Sequence, residues 1–237
     1  MKVVFLVAAL AALASVSAQN PGAPVSAGQS SAASDPIEKI IIPKVDFRES
    51  TMEEAAEFLG FKSKQIDSTR KGFDFVVEDE QLRKVRITFA VKAAPLSTVV
   101  RYCALLADCD VHKQASTYFL VPRNAKLAAG RVPGLPAVKR NRSALVKAAG
   151  ILFPRVAFSE STFREVFEFL VAKSASLDPQ GEGVSIVVKP GPNMEAIRVS
   201  QKIDSISLAD ALGIIAKEAG YELVDDDYAL FIRPRKK

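Results

Sequence analysis

At 237 residues, with 49% hydrophobic and 25% charged side chains, the chain has the make-up of an ordinary globular protein, long enough for one large or two small domains. Its formal charge of +5 is unevenly placed: residues 40–122 and 151–237 are each close to neutral. The stretch 123–150 holds Arg123, Lys126, Arg131, Lys139, Arg140, Arg142 and Lys147 with no acid. The folded parts therefore lack the basic face with interleaved aromatics that nucleic-acid binding requires, and no nucleic-acid partner is expected.

In chain order, Met1-Lys2 is a minimal positive start, Val3 to Leu13 is apolar and uncharged, and Val16-Ser17-Ala18 offers small residues for cleavage. The apolar run is shorter than the roughly 20 residues of a spanning helix, so 1–18 reads as a signal peptide cut between Ala18 and Gln19. Gln19 is not a cysteine, so lipid attachment there is not expected, and no later stretch is apolar enough to span. The mature protein is expected to be periplasmic or secreted. Residues 19–39, rich in Ala, Ser, Gly, Gln and Pro, read as a flexible tether.

From there the chain says most things twice. Pro43-Lys44-Val45-Asp46-Phe47-Arg48-Glu49-Ser50-Thr51 returns 111 residues later as Pro154-Arg155-Val156-Ala157-Phe158-Ser159-Glu160-Ser161-Thr162. Glu57-Phe58-Leu59 returns as Glu168-Phe169-Leu170, and Gly72 through Val77 aligns with Gly183 through Val188. From Val85 and Ile197 onward the offset is 112, so one residue has entered the intervening loop. Two copies of one folding unit are expected, at 40–122 and 151–237, joined by a basic linker at 123–150.

Each unit reads as β-α-β-β-α-β-β. Thr51 with Glu54, and Thr162 with Glu165, form capping boxes at the first helix. Met52, Ala55, Ala56 and Leu59, like Phe163, Val166, Phe167 and Leu170, recur at helical spacing and read as core, with a ligand groove the alternative for the phenylalanine stripe. Phe73–Val77 and Val184–Val188 are strand candidates, and 85–91 alternates apolar with polar. Second helices carry Leu96, Val99, Val100 and Cys103, or Leu208, Ala211, Leu212 and Ile215, before two short closing strands. The expected class is α+β: two tandem domains, each with two helices on small sheets. Ser143 to Ala149 has the pattern of a short helix in the linker.

This order of elements, with the Val-Asp-Phe opening, the Leu-Ser or Ser-Leu start of the second helix and the closing hairpin, resembles the secretin and TonB short N-terminal domain (the N0 domain of secretins). The resemblance covers about 40–122 and 151–234. It implies periplasmic docking on partner proteins, here secretion or TonB-type components, through strand edges or helix faces. The chain shows no channel or barrel region, so only docking carries over.

Reactive groups are sparse. His112 is the only histidine and cannot build a multi-histidine zinc site, and no Gly-x-Ser-x-Gly turn presents a serine. Asp225-Asp226-Asp227 lacks calcium-loop spacing and reads as a turn, and Glu78-Asp79-Glu80 reads as a solvated loop. Asn141-Arg142-Ser143 matches a glycosylation acceptor. Cys103 and Cys109 leave open a disulfide or two buried thiols; a bridge requires the helix to end before Cys109. No catalytic, cofactor or metal residue is expected. Two competing readings stand beside docking: a carboxylate-dependent envelope hydrolase, and a binder of anionic polymers or lipid headgroups through the seven linker bases.

Overall fold

The computed structural model describes residues 35–135 and 143–235. The signal-peptide positions Ala18 and Gln19, most of the tether, and Lys139, Arg140, Asn141 and Arg142 lie outside them. In the first half the elements run α1 (Pro36–Lys39), β1 (Ile41–Thr51), α2 (Met52–Ile66), β2 (Asp74–Val77), α3 (Glu80–Arg83), β3 (Arg86–Pro95), α4 (Leu96–Ala107), β4 (Cys109–Gln114), β5 (Thr117–Pro122) and β6 (Val132–Pro133). The second half runs α5 (Ser143–Gly150), β7 (Leu152–Thr162), α6 (Phe163–Leu177), β8 (Ile186–Val188), a 3-10 turn (Met194–Ala196), β9 (Arg198–Ser207), α7 (Leu208–Glu218), β10 (Tyr221–Asp225) and β11 (Leu230–Pro234). The class is α+β.

Local chemistry explains where these elements start and stop. Thr51 and Thr162 each accept the N–H three residues on, and Glu54 and Glu165 reach back to the cap N–H, so both boxes close. Helix α4 ends where Asp108 turns left-handed (φ 56°), which sends Cys109 directly into β4. The extra residue of the second half falls between β8 and β9, where the 3-10 turn stands in place of α3.

Strand pairing follows the same plan twice. β1 pairs antiparallel with β3 as a two-stranded ribbon, and β7 with β9. β2 runs parallel to β5, which pairs antiparallel with β4; β8, β11 and β10 repeat this. Each ribbon has a register shift at one place, between Phe47 and Ser50 or between Phe158 and Ser161. There Glu49 (φ 53°) and Glu160 (φ 49°) turn left-handed, and their N–H groups donate to Thr88 Oγ1 and Ser200 Oγ, each at 2.9 Å. Buried Ser63 and Ser174 accept from the N–H of Phe73 and Val184. Gly72 and Gly183 lie against these serines in left-handed conformation, where an added Cβ would come within 2.8 Å of another atom.

The two halves share a core. Val187, Ala229 and Phe231, on β8 and at β11, belong to the first half's apolar cluster around Leu59, Val99 and Leu120. β8 lies beside β3. Tyr102 of α4, with 0% exposure, sits between Phe89 (5.9 Å) and Phe231 (6.3 Å) and donates its hydroxyl to Asp226 at 2.9 Å. Lys189 pairs with Asp108 at 2.9 Å, Lys92 donates to the Glu182 carbonyl at 3.1 Å, and Arg164 reaches Glu49 at 3.3 Å. Residues Ser34–Lys237 form one compact unit.

Two stretches differ from the sequence reading. Residues 36–39, expected to end a tether, form α1, because the Asp35 side chain caps the Ile37 N–H and Ile37 is fully buried. Residues 123–135, expected to be a solvated linker, fold back over the first half's sheet. Arg131 pairs with both oxygens of Glu78 (2.6 and 2.9 Å), and its guanidinium lies 3.6 Å over the Phe119 ring. β6 pairs with β4, and Gly134 donates to Val111 so closely that a Cβ there would stand 2.8 Å from the Val111 side chain. Helix α5 is present as expected and packs on α7.

Candidate functional site

Among the described residues the ribbon of β1 and β3 has two strands, and no further strand pairs with the outer edge of β1. Pro43 removes one N–H from that edge and the bulge at Glu49 interrupts it, leaving Lys44–Phe47 as the regular window. Beside it, between β1 and α2, runs a groove of about 580 Å³ lined by Lys44, Asp46, Phe47, Ser50, Glu54 and Phe58. Phe58 stands one helical turn after Glu54, so α2 presents both to the groove. Phe47 meets Phe58 edge-on at 5.4 Å and Phe89 at 5.4 Å, and the three rings hold one another in place. Lys62 lies 5.9 Å from the rings of both Phe58 and Phe61, and Phe61 is 66% exposed.

The groove's acids are held in their charged forms. The Arg48 guanidinium, bonded at 3.1 Å, outweighs partial burial and keeps the Asp46 carboxyl below its usual range; Lys44 adds to this at 3.8 Å. The Thr51 backbone N–H and hydroxyl lower the Glu54 carboxyl. Neither is raised as a general acid would need to be. What the groove offers is an apolar floor, fixed charges on its rim and an unfilled strand edge.

The second half repeats the floor. Phe158 and Phe169 meet edge-on at 5.5 Å, Phe169 is 45% exposed, and Glu165 again closes the cap. Arg155 stands where Lys44 does and pairs with Asp204 at 3.5 Å.

The residues singled out in the sequence lie elsewhere. Cys103 and Cys109 are free and buried; the helix does end between them. Burial pushes both thiols up, Cys109 to about 12 and Cys103 further, which makes them poor nucleophiles. His112 is buried on β4 opposite Phe119. Asp226 begins a turn through its N–H to the Ala229 carbonyl; Asp225 accepts from the Leu145 N–H, and the Asp227 carbonyl accepts from Ser143. Among the described residues no three His, Cys, Asp or Glu side chains gather as a metal site.

The described linker bases do not form one patch. Arg123 pairs with Asp108, Arg131 with Glu78, and Lys147 with Asp178 and Glu182; Lys126 is exposed. The sequence reading expected docking at a strand edge or beside a helix but did not place it on these residues, although the paired signal was present: Phe47 with Phe58, and Phe158 with Phe169, hold matching places. No described helix is long and apolar enough to cross a membrane. No family model, characterised protein or solved structure matches the chain.

Proposed function

We propose that this chain is a non-catalytic, exported docking protein of the cell envelope, and that the β1–α2 groove takes up an extended segment of a partner protein. The observation that carries the reading is the unfilled edge at Lys44–Phe47 beside an aromatic-floored groove. An added strand would satisfy backbone groups along the edge while its alternate side chains enter the groove. The resemblance to the short N-terminal domain of secretins and TonB receptors supports the same mode, with secretion or TonB-type components as partner class. One apolar anchor buried on Phe58 is worth about 1.5–3 kcal/mol, so a single groove binds weakly. A partner offering two segments could use β7–α6 as well and gain from effective concentration.

The test is a screen of unstructured peptides against the mature chain, followed by titration of Phe58→Ala, Phe169→Ala and the double variant. Binders should carry apolar residues at every second position and slow amide exchange at Lys44–Phe47. Each single change should weaken binding about tenfold, equivalent to 1.4 kcal/mol. Peptides that bind the double variant as tightly as the parent would remove the groove from consideration.

A further inference from the structure

The contact between the halves shows what kind of surface fits the outer face of this fold's three-stranded sheet. In the second half that face carries Phe231 and Val187, register partners on β11 and β8, and it lies against the first half. Phe231 meets Tyr102, and Lys189, just beyond β8, pairs with Asp108. The same places in the first half are Phe119 and Val76, again register partners, with Glu78 in the position of Lys189.

From strap 123–135 one side chain reaches over that second face. Arg131 alone stands in for both contacts, its guanidinium over Phe119 and its two bonds on Glu78. Beside it Val76 remains 38% exposed. The receiving surface also occurs twice. Tyr102 corresponds to Ile214 on α7, which is 39% exposed, and nothing lies within 4 Å of a Cβ added at neighbouring Gly213. Lys92, which donates to Glu182 in the contact between the halves, corresponds to Asp204, and Glu182 corresponds to Lys71. Lys71 and Asp204 are both exposed and of opposite charge, so the matching places on the two free faces are electrostatically complementary.

We propose that this chain associates head to tail with a second copy of itself. The β2–β5 face of one copy docks on the β9–α7 face of the next, and strap 123–135 holds the association in check through Arg131. Such a contact is heterologous, so it propagates instead of closing as a symmetric dimer. It is weaker than the one between the halves, because Gln201, bonded to Glu218 at 2.7 and 2.6 Å, stands where the first half has Phe89.

Sedimentation of the mature chain tests this. The parent should stay monomeric at concentrations where Arg131→Ala gains mass with concentration. Glu78→Gln, which weakens Arg131's ion pair without touching the aromatic stack, should do the same to a smaller extent. Adding Ile214→Asp or Val76→Asp to Arg131→Ala should restore the monomer. Mixing those two double variants should give a one-to-one dimer, since each retains the face the other has lost. The proposal fails if Arg131→Ala and Glu78→Gln both stay monomeric while folded. It fails equally if their association survives Ile214→Asp, or if the mixed double variants do not combine.

Discussion

Tyr102→Phe is the sharpest probe of how the halves depend on each other. The substitution removes one oxygen and keeps the ring between Phe89 and Phe231, so its effect isolates the 2.9 Å hydrogen bond to Asp226. Burial, and then the Asp226 carboxylate, push the phenol well above its ordinary range, so it remains a donor at any pH at which the protein is handled. A hydrogen bond to a charged acceptor contributes about 1.5–3 kcal/mol. Asp226 is only half-buried, so water can reach it once the hydroxyl is gone, and the lower end applies, about 1.5 kcal/mol. For a folded unit of this size each kcal/mol moves Tm by about 2–4 °C, giving a fall of about 3–6 °C. Calorimetry should show one transition before and after, because Val187, Ala229 and Phe231 lie inside the first half's core. Hydrogen-exchange mass spectrometry should show peptides from α4 and from β11 losing protection together. The shared-core argument is refuted if β11 peptides keep the parent's protection while α4 peptides lose theirs, or if the scan splits into two transitions.

Two further outcomes follow from local geometry. Asp67 accepts from the Thr69 hydroxyl at 2.6 Å and from the Gly72 N–H at 2.8 Å, which lowers its carboxyl from 3.8 to about 2. A lowered folded pKa stabilises above the unfolded value and is lost as pH falls through the folded one. The Tm gap between the parent and Asp67→Asn should therefore be full above about pH 5 and shrink between pH 3.8 and about 2; a gap flat across that window would contradict the assignment. Thr51→Ala and Thr162→Ala each open a capping box and should lower stability by about 0.5–2 kcal/mol, by similar amounts. Urea denaturation reads this directly, and a neutral Thr51→Ala would mean the box contributes nothing.

What could be read from sequence was what is local. The capping boxes, the strand at Phe73–Val77 and the stripe along α2 depend on neighbours within a few residues, and period or spacing exposes them. Arg131 and Glu78 are 53 residues apart and no periodicity links them, so 123–135 looked like solvent-facing linker. The shared core left a fainter trace. Ile186 and Val187 are adjacent and both buried, as in a strand covered on both faces, whereas Asp74 and Val76 of the matching β2 are exposed. Helix α4 is buried at nine of twelve positions and α7 at five of eleven, so α4 is a central helix and α7 has a wet face. The all-round apolar character of α4 is visible in its residues but marks burial only once another surface is known to lie against it. The groove escaped notice for a related reason: phenylalanines at helical spacing usually face a core. Only the exposure of Phe61 and Phe169 separates those that do from those that do not.

Where the halves agree and where they differ divides the surface by task. They agree at Phe47 with Phe58 and Phe158 with Phe169, at the bulge glutamates and at the caps, which shape or adjoin the β1–α2 groove or hold the same places on β7 and α6. Along the axis on which one half meets the other they keep Phe119 with Phe231 and Val76 with Val187 but differ at several neighbouring places. Phe89 gives way to Gln201, Tyr102 to Ile214 and Lys189 to Glu78, and these are the positions that touch, or would touch, a neighbouring unit. A two-unit stack buries one donating and one receiving face and leaves one of each at its ends. Unprotected, those ends would continue the stack indefinitely, and terminal units of repeat arrays are made polar to prevent it. Here one end is capped by Arg131 and the other by the Gln201–Glu218 pair. The two caps differ in kind. Gln201–Glu218 lies within the receiving surface and weakens it, whereas Arg131 reaches the donating face from the separate strap 123–135. On the proposed association, control of assembly therefore resides in the strap.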